Sequence, residues 1–228
     1  MMMNTTIAIT YLLLLVSHIP IFTYAFCPKL YWHDEFDGNE LNTTNWNIAV
    51  GDGCIVGICG WGNNESETYT ADNVMVNNGK LILEARKLTN DAGEIEYTSG
   101  RINSDHLADI DVYGRFEARI RLPIGGHGIW PAFWMLPSEW IFGGWPASGE
   151  IDIMENIGRE PYTIHGTIHY GNHAHFYQGK SVDLKNVPFS MDYHTFAVDR
   201  EFNSIRFILD DVVYFSISAD DIGDNTWP

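Results

Sequence analysis

The sequence predicts an all-β protein, a sandwich whose strand number and spacing suit a jelly roll. Three observations point there. Apolar and polar residues alternate with period two along most of the chain, clusters of Gly, Asn and Asp punctuate the alternation, and no long amphipathic helical pattern interrupts it. Leu81, Leu83 and Ala85 alternate with Ile82, Glu84 and Arg86. Phe116, Ala118, Ile120 and Leu122 alternate with Arg115, Glu117, Arg119 and Arg121, the pattern of a half-buried strand. Ile205, Phe207 and Leu209 repeat it before Asp210-Asp211, a turn leading into VVYFSI. NNG at 77–79, IGG at 124–126 and FNS at 202–204 separate such runs.

A chain of 228 residues suits one domain with a sizeable core. The first 25 residues contain no Asp, Glu, Lys or Arg and include IAITYLLLLVS, a run too short for a membrane span. Followed by Thr23-Tyr24-Ala25, it reads as a secretory signal peptide, residues 1–25, which leaves 26–228 as an extracellular β-sandwich domain. The formal charge of −17 repels nucleic acid and anionic membranes, so neither is an expected partner. Eight Trp, eleven Tyr and twelve Phe suit stacking on sugar rings, but also a large β core, which taken alone is the favoured reading. Three Cys fit an oxidising compartment: Cys54 and Cys59 close a short loop and form the candidate disulfide, and Cys27 is left over. No His-rich spacing supports a zinc site, and His173 and His175 read as loop residues. Asn42-Thr43-Thr44 and Asn64-Glu65-Ser66 are glycosylation sequons.

Residues 149–156, GEIDIMEN, carry the chemistry. Glu150 and Asp152 share one strand face while Ile151 and Ile153 share the other, which belongs in the core. Glu155 has the wrong parity for the acidic face, and a β-bulge near Met154 restores it. Glu150 and Glu155 then lie four strand steps apart, about 13 Å of backbone, with Asp152 between them. Carboxylates crowded on a strand raise one another's pKa, and burial raises them further. Glycoside hydrolysis uses such a pair, held roughly 5–5.5 Å apart in retaining enzymes and farther apart in inverting ones. E-x-D-x-x-E also suits an acidic edge strand or a Ca²⁺ site.

GEIDIMEN, preceded by WPAFWMLP (130–137) and followed by HGTIHYG (165–171), resembles glycoside hydrolase family 16. The bulged E-I-D-I-M-E form is similar to the family's laminarinase branch, the endo-β-1,3-glucanases. WHDEFDG (32–38), CGWGNNE (59–65), YTSGRI (97–102) and REP (159–161) match in the same order. The resemblance implies a β-jelly roll with a concave glycan cleft, Glu150 as nucleophile, Glu155 as acid/base and Asp152 tuning the pair. Trp130 and Trp134, on one face by parity, would be sugar platforms, or else core. Asn63, Asn64 and Glu65 match a polar substrate-contacting loop, and Arg101 matches an arginine that hydrogen-bonds sugar hydroxyls. His165 and His169 share a face and would bond the acid/base or a sugar, or serve structurally.

The expected protein is therefore a secreted, monomeric, retaining endo-β-1,3-glucanase with β-glucan as its partner. The alternatives are a mixed-linkage β-glucanase or transglycosylase of the same fold, and a non-catalytic β-glucan recognition protein, against which the retained acids argue. The resemblance implies further C-terminal core strands beyond DNTWP (224–228), so the chain reads as a fragment, incomplete at that end by on the order of fifty residues. No cofactor is expected, and the family's structural calcium is not carried over, because one of its ligands lies in that final segment. Asp211 stands where the family usually has Gly, and Arg200 where it often has Trp. A glycan on Asn64 would block the cleft, so that sequon is expected to stay vacant; peptide mass spectrometry of active protein showing it occupied would remove Asn64 from the cleft.

Overall fold

The computed structural model describes residues 29–110 and 113–228; the expected signal segment 1–25 and Cys27 lie outside the described residues. Along the chain the strands are β1 (Asn47–Ile48), β2 (Glu67–Tyr69), β3 (Val74–Val76), β4 (Leu81–Leu83), β5 (Arg86–Thr89), β6 (Ile95–Ser99), β7 (Ile102–Asn103) and β8 (Gly114–Ile120). They continue as β9 (Ala132–Met135), β10 (Glu150–Glu155), β11 (Thr163–Tyr170), β12 (Phe176–Asp183), β13 (His194–Arg200), β14 (Ser204–Leu209) and β15 (Val212–Ser218). Helical structure among the described residues is confined to short 3₁₀ turns.

Two antiparallel four-stranded sheets form the jelly-roll sandwich, ordered β12-β11-β10-β9 and β15-β14-β13-β8. The core lies between them. Ile151, Ile153 and Met154 of β10 and Ile164, Ile168 and Tyr170 of β11 meet Phe196 and Val198 of β13, Ile205, Phe207 and Leu209 of β14, and Ile217 of β15. Full burial of one such side chain contributes about 1.5–3 kcal/mol, so these positions dominate the cohesion of the two layers. Smaller sheets, β2-β6-β5, β1-β7 and β3-β4, complete the described chain.

Alternation explains both faces of each layer. Along β11, Ile164, Gly166, Ile168 and Tyr170 are buried, while Thr163, His165, Thr167 and His169 sit half-buried on the opposite face. On the far face of the other sheet, Arg115 bonds Asp199 at 2.8 Å, and Arg206 lies 3.3 Å from Asp199 and 3.0 Å from Glu201. Those charges form a ladder across β8, β13 and β14; each exposed pair is worth only about 0–1 kcal/mol. The β14–β15 turn places Asp210 and Asp211 at φ 47° and 64°, the two left-handed positions that a tight two-residue hairpin requires.

Gly166 marks a close approach of β11 to the opposite sheet. A Cβ there would sit 2.6 Å from Cδ1 of Phe207 and against the Tyr214 hydroxyl. Gly166→Ala is therefore expected to destabilise the fold by about 1–3 kcal/mol, as overpacked cores do. Urea unfolding should show a lower midpoint with an unchanged slope; an unaltered midpoint would mean that the sheets part easily at this point.

Candidate active site

The site is built on β10. In its pairing with β11, Glu150 stands opposite His169, Asp152 opposite Thr167 and Glu155 opposite His165. Three residue steps on β10 therefore match two on β11, and the register against β9 slips between Asp152 and Met154. One extra residue is absorbed. Ile153 and Met154, though consecutive, are each only 1 % exposed. This is the bulge expected near Met154, and it returns Glu155 to the face that carries Glu150 and Asp152.

The loops at both ends of β10 are tied down. Before it, Ser148 Oγ donates to the Gly143 carbonyl at 2.6 Å and accepts the Phe142 N–H at 3.2 Å. Gly149 then turns the chain into the strand at φ 85°, a conformation suited to glycine. After it, buried Asn156 donates its side-chain N–H groups to the carbonyls of Glu160 and Thr163, at 3.1 and 2.8 Å. The Asn156 N–H reaches the Pro131 carbonyl at 3.1 Å, and the Gly158 N–H reaches that of Ile129 at 2.8 Å. These bonds set the segment carrying Trp130.

Each outer carboxylate is held by an indole. Trp145 Nε1 donates to Glu150 Oε2 at 2.5 Å, and Trp130 Nε1 donates to Glu155 Oε1 at 2.9 Å. Asp152, between them, is 4 % exposed. Its Oδ2 lies 3.1 Å from His169 Nε2, near enough for a strong charge interaction but off the line of a well-formed hydrogen bond. Burial, and then the Asp152 charge, raise the pKa of both glutamates. For Glu155 the rise reaches about 7, opposed by the Trp130 N–H and the nearby His169. Glu150 is likewise raised, against the Trp145 N–H, His169 and Arg101. Burial pulls His169 down, but Asp152, Glu150 and Glu155 outweigh it and raise its pKa.

Arg101 forms the next part of the wall. Its guanidinium carbon lies 4.5 Å from the Trp61 ring centroid, 4.8 Å from that of Trp134 and 5.6 Å from that of Tyr69. Trp134 is thus paired in register with Asp152 on one side and covered by a cation on another. Cys54 and Cys59 are joined in a disulfide, and the loop they close leads directly into Trp61. Glu65 is occupied within the protein: Oε1 accepts from Asn63 Nδ2 at 3.2 Å and Oε2 from the Tyr69 hydroxyl at 2.6 Å. Asn64 is exposed at φ 55°. His165 lies 3.7 Å from Glu160 and, in register, opposite Glu155. Trp130 precedes β9 instead of belonging to it, and its contact with Glu155 puts it at the acids, not in the core.

Sequence reasoning missed Trp145, His175 and Tyr177. The His175 ring centroid is 4.5 Å from that of Trp145 and 5.0 Å from that of His169. Tyr177 lies 6.0 Å from both His169 and His175. A signal existed for Tyr177, which pairs with His169 across β11 and β12. Trp145 sits in a loop, where no periodicity points to it. Among the described residues no three His, Cys, Asp or Glu side chains are arranged to hold a metal ion.

Residues 62–228 match the pattern of the family described as Glycosyl hydrolases family 16. The chain belongs to that family. This family 16 chain is 40 % identical over 195 residues to the glucan endo-1,3-beta-glucosidase of Cryptopygus antarcticus, covering 82 % of this chain and 68 % of that protein. It is 37 % identical over 202 residues to glucan endo-1,3-beta-glucosidase A1 of Niallia circulans, covering 83 % of this chain but spanning only 29 % of that protein's length. Among solved structures it resembles the catalytic domain of an endo-1,3-beta-glucanase (laminarinase) from Thermotoga petrophila RKU-1. That likeness has a TM-score of 0.77 and 38 % identity, over 87 % of this chain and 81 % of the other.

Because the Trp130 N–H stabilises ionised Glu155, Trp130→Phe should raise the Glu155 midpoint above about 7. Carboxyl carbon shifts followed by NMR titration would read it; a midpoint that stays put or falls would show that the indole does not bond the carboxylate.

Proposed function

We propose that this family 16 chain is a secreted, endo-acting glycoside hydrolase that cleaves β-1,3-glucan with retention of anomeric configuration. One observation carries the reading. Two glutamates on one strand face flank a buried aspartate, and they differ in the groups that balance their charge. Glu155, with its pKa pushed up to about 7, keeps a proton to give. Glu150 is raised as well, by burial and then by Asp152, but beside an indole N–H and His169, which Glu155 has too, it also has the Arg101 guanidinium to favour its ionised form.

In the first step the Glu150 carboxylate attacks the anomeric carbon. The glycosidic C–O bond breaks as Glu155 passes its proton to the leaving oxygen, and a glycosyl ester on Glu150 results. In the second step the Glu155 carboxylate takes a proton from water, and that water's oxygen attacks the same carbon and frees Glu150. The Asp152 charge raises the pKa of both neighbouring glutamates, and His169 offsets it. Trp130 and Trp145 orient the two glutamates, leaving their exposed ring surfaces beside a bound sugar. Arg101 and Trp134 stand beside the acids, and the family resemblance would add Asn63 and Asn64 to the approach. The β-1,3 linkage and the endo mode rest on likeness to the two named endo-1,3-glucosidases. Action outside the cell rests on the signal-like N-terminus and the Cys54–Cys59 bridge.

Glu150→Gln and Glu155→Gln are each expected to lower kcat on laminarin by about 10²-fold or more. Wild-type activity should fall as pH rises through about 7, because Glu155 must hold its proton. It should also fall in acid, from a point above the usual glutamate range, because Glu150 must lose its own. Proton NMR of the first products should show the β anomer. An initial α product would overturn the double displacement, near-wild-type rates in both mutants would overturn the assigned acids, and preferential cleavage of mixed-linkage glucan would move the substrate.

A further inference from the structure

We propose that His175 is a positioning residue for this site: it fixes the His169 ring beside Asp152 and the Trp145 indole beside Glu150, so one loop side chain steers the charge balance of the carboxylate row. The catalytic part of this inference rests on the hydrolytic reading above; the contact itself does not.

His169 Nδ1 and His175 Nε2 lie 2.8 Å apart. At that separation one nitrogen carries the hydrogen and the other offers its lone pair. The other nitrogen of His169, Nε2, lies 3.1 Å from Asp152 Oδ2. A carboxylate oxygen at that distance favours a hydrogen on Nε2 over a lone pair, by charge even off the line of a hydrogen bond. Two arrangements satisfy both contacts. Either a neutral His169 accepts from His175 at Nδ1, or a charged His169 donates from Nδ1 to a neutral His175. In both, turning the His169 ring over would break the pattern, so His175 selects its orientation.

Charging both rings is incompatible with the contact, because two N–H groups would then face each other. The pair therefore carries at most one positive charge while it is intact. Its surroundings decide where. His169 is faced by Asp152, Glu150 and Glu155 from β10, by Tyr177 from β12, and by Trp145 and His175 from the loops. Among the described residues the aromatic partners of His175 are His169, Trp145 and Tyr177. Three carboxylates favour the charge on His169, and His175 is then the neutral acceptor. Consistently, burial and the His169 charge hold the His175 pKa below its ordinary value.

The second contact is between tilted rings, with an interplanar angle of 50°. The Trp145 centroid is 4.5 Å from His175 but 6.0 Å from His169, so His175 is the nearer backing for the indole that holds Glu150. Loss of His175 thus removes an acceptor that supports a cation near Asp152, and also a wall behind the hydrogen bond to Glu150.

Three variants of the full chain separate these roles. His175→Phe keeps an aromatic ring against Trp145 without a nitrogen, His175→Gln keeps a polar partner for His169, and His175→Ala keeps neither. Histidine ring-nitrogen NMR should show a nitrogen–nitrogen coupling across the His169–His175 contact in the wild type, absent in His175→Phe. The His169 midpoint should fall by about one pH unit in His175→Phe. On laminarin, His175→Ala should lose about tenfold in kcat with KM changed less than about twofold, and His175→Gln should recover most of the loss. A wild type without the coupling, or a His169 midpoint unmoved in His175→Phe, would overturn the contact. Wild-type kcat in His175→Ala would overturn the positioning role. Should the wild type cleave no β-glucan, the functional reading falls on its own, and the coupling and titration still decide for or against the histidine contact.

Discussion

The one-residue bulge in β10 is the constraint on which the site depends. A regular strand offers one face every second residue, so a row of acids spaced 150, 152 and 155 cannot be presented together without breaking the period. The bulge resolves this by sending two consecutive apolar side chains, Ile153 and Met154, into the core. The chemistry is thus anchored by packing. The same two residues that re-phase Glu155 are among the best buried in the sandwich, so the acidic face is held in register by the core on its other side. The substituents of β11 follow suit, with His165, Thr167 and His169 presented opposite Glu155, Asp152 and Glu150.

Three carboxylates on one partly buried face oppose folding at neutral pH. The native Glu155 midpoint of about 7 lies above its reference of 4.5, so between those values the folded chain holds more protons than the unfolded one. Stability contributed by this group is therefore present below the reference value and declines as pH rises toward about 7. The Trp130 N–H and His169 limit that decline without abolishing it. A protonatable Glu155 is the useful residue of this conflict, since a fully compensated carboxylate would titrate too low to act as an acid near neutrality.

Much of this was legible in the sequence because periodicity encodes burial. The alternation at 115–122 and 205–209 predicted β8 and β14, the Asp210-Asp211 pair predicted their neighbour's turn, and the parity conflict at Glu155 predicted the bulge before any coordinates. Legibility ended where geometry is set by loops. Trp145 and His175 lie outside strands, and their proximity to Glu150 and His169 depends on the paths of two connections that no local pattern specifies. Glu65 shows a different limit. The motif singles it out for substrate contact, and the structure adds that Asn63 and Tyr69, four residues on, each donate to one of its oxygens. A motif names a residue but does not say which neighbour reaches it first.

The stacking of Arg101 between Trp61 and Trp134 has a bearing on how the protein must be made. Trp61 lies two residues past the Cys54–Cys59 loop, and Trp134 stands beside Asp152, so a covalent clasp at the rim is linked through three side chains to the acidic strand. In a reducing cytosol that clasp does not close. Chains matured there would carry every acid of β10 in the correct order while the outer support of the Trp134 wall hung on non-covalent contacts alone. Workers preparing the protein would then judge a well-folded core by its cooperative melting and still misjudge the cleft. The compartment of synthesis belongs, in this sense, to the architecture of the site.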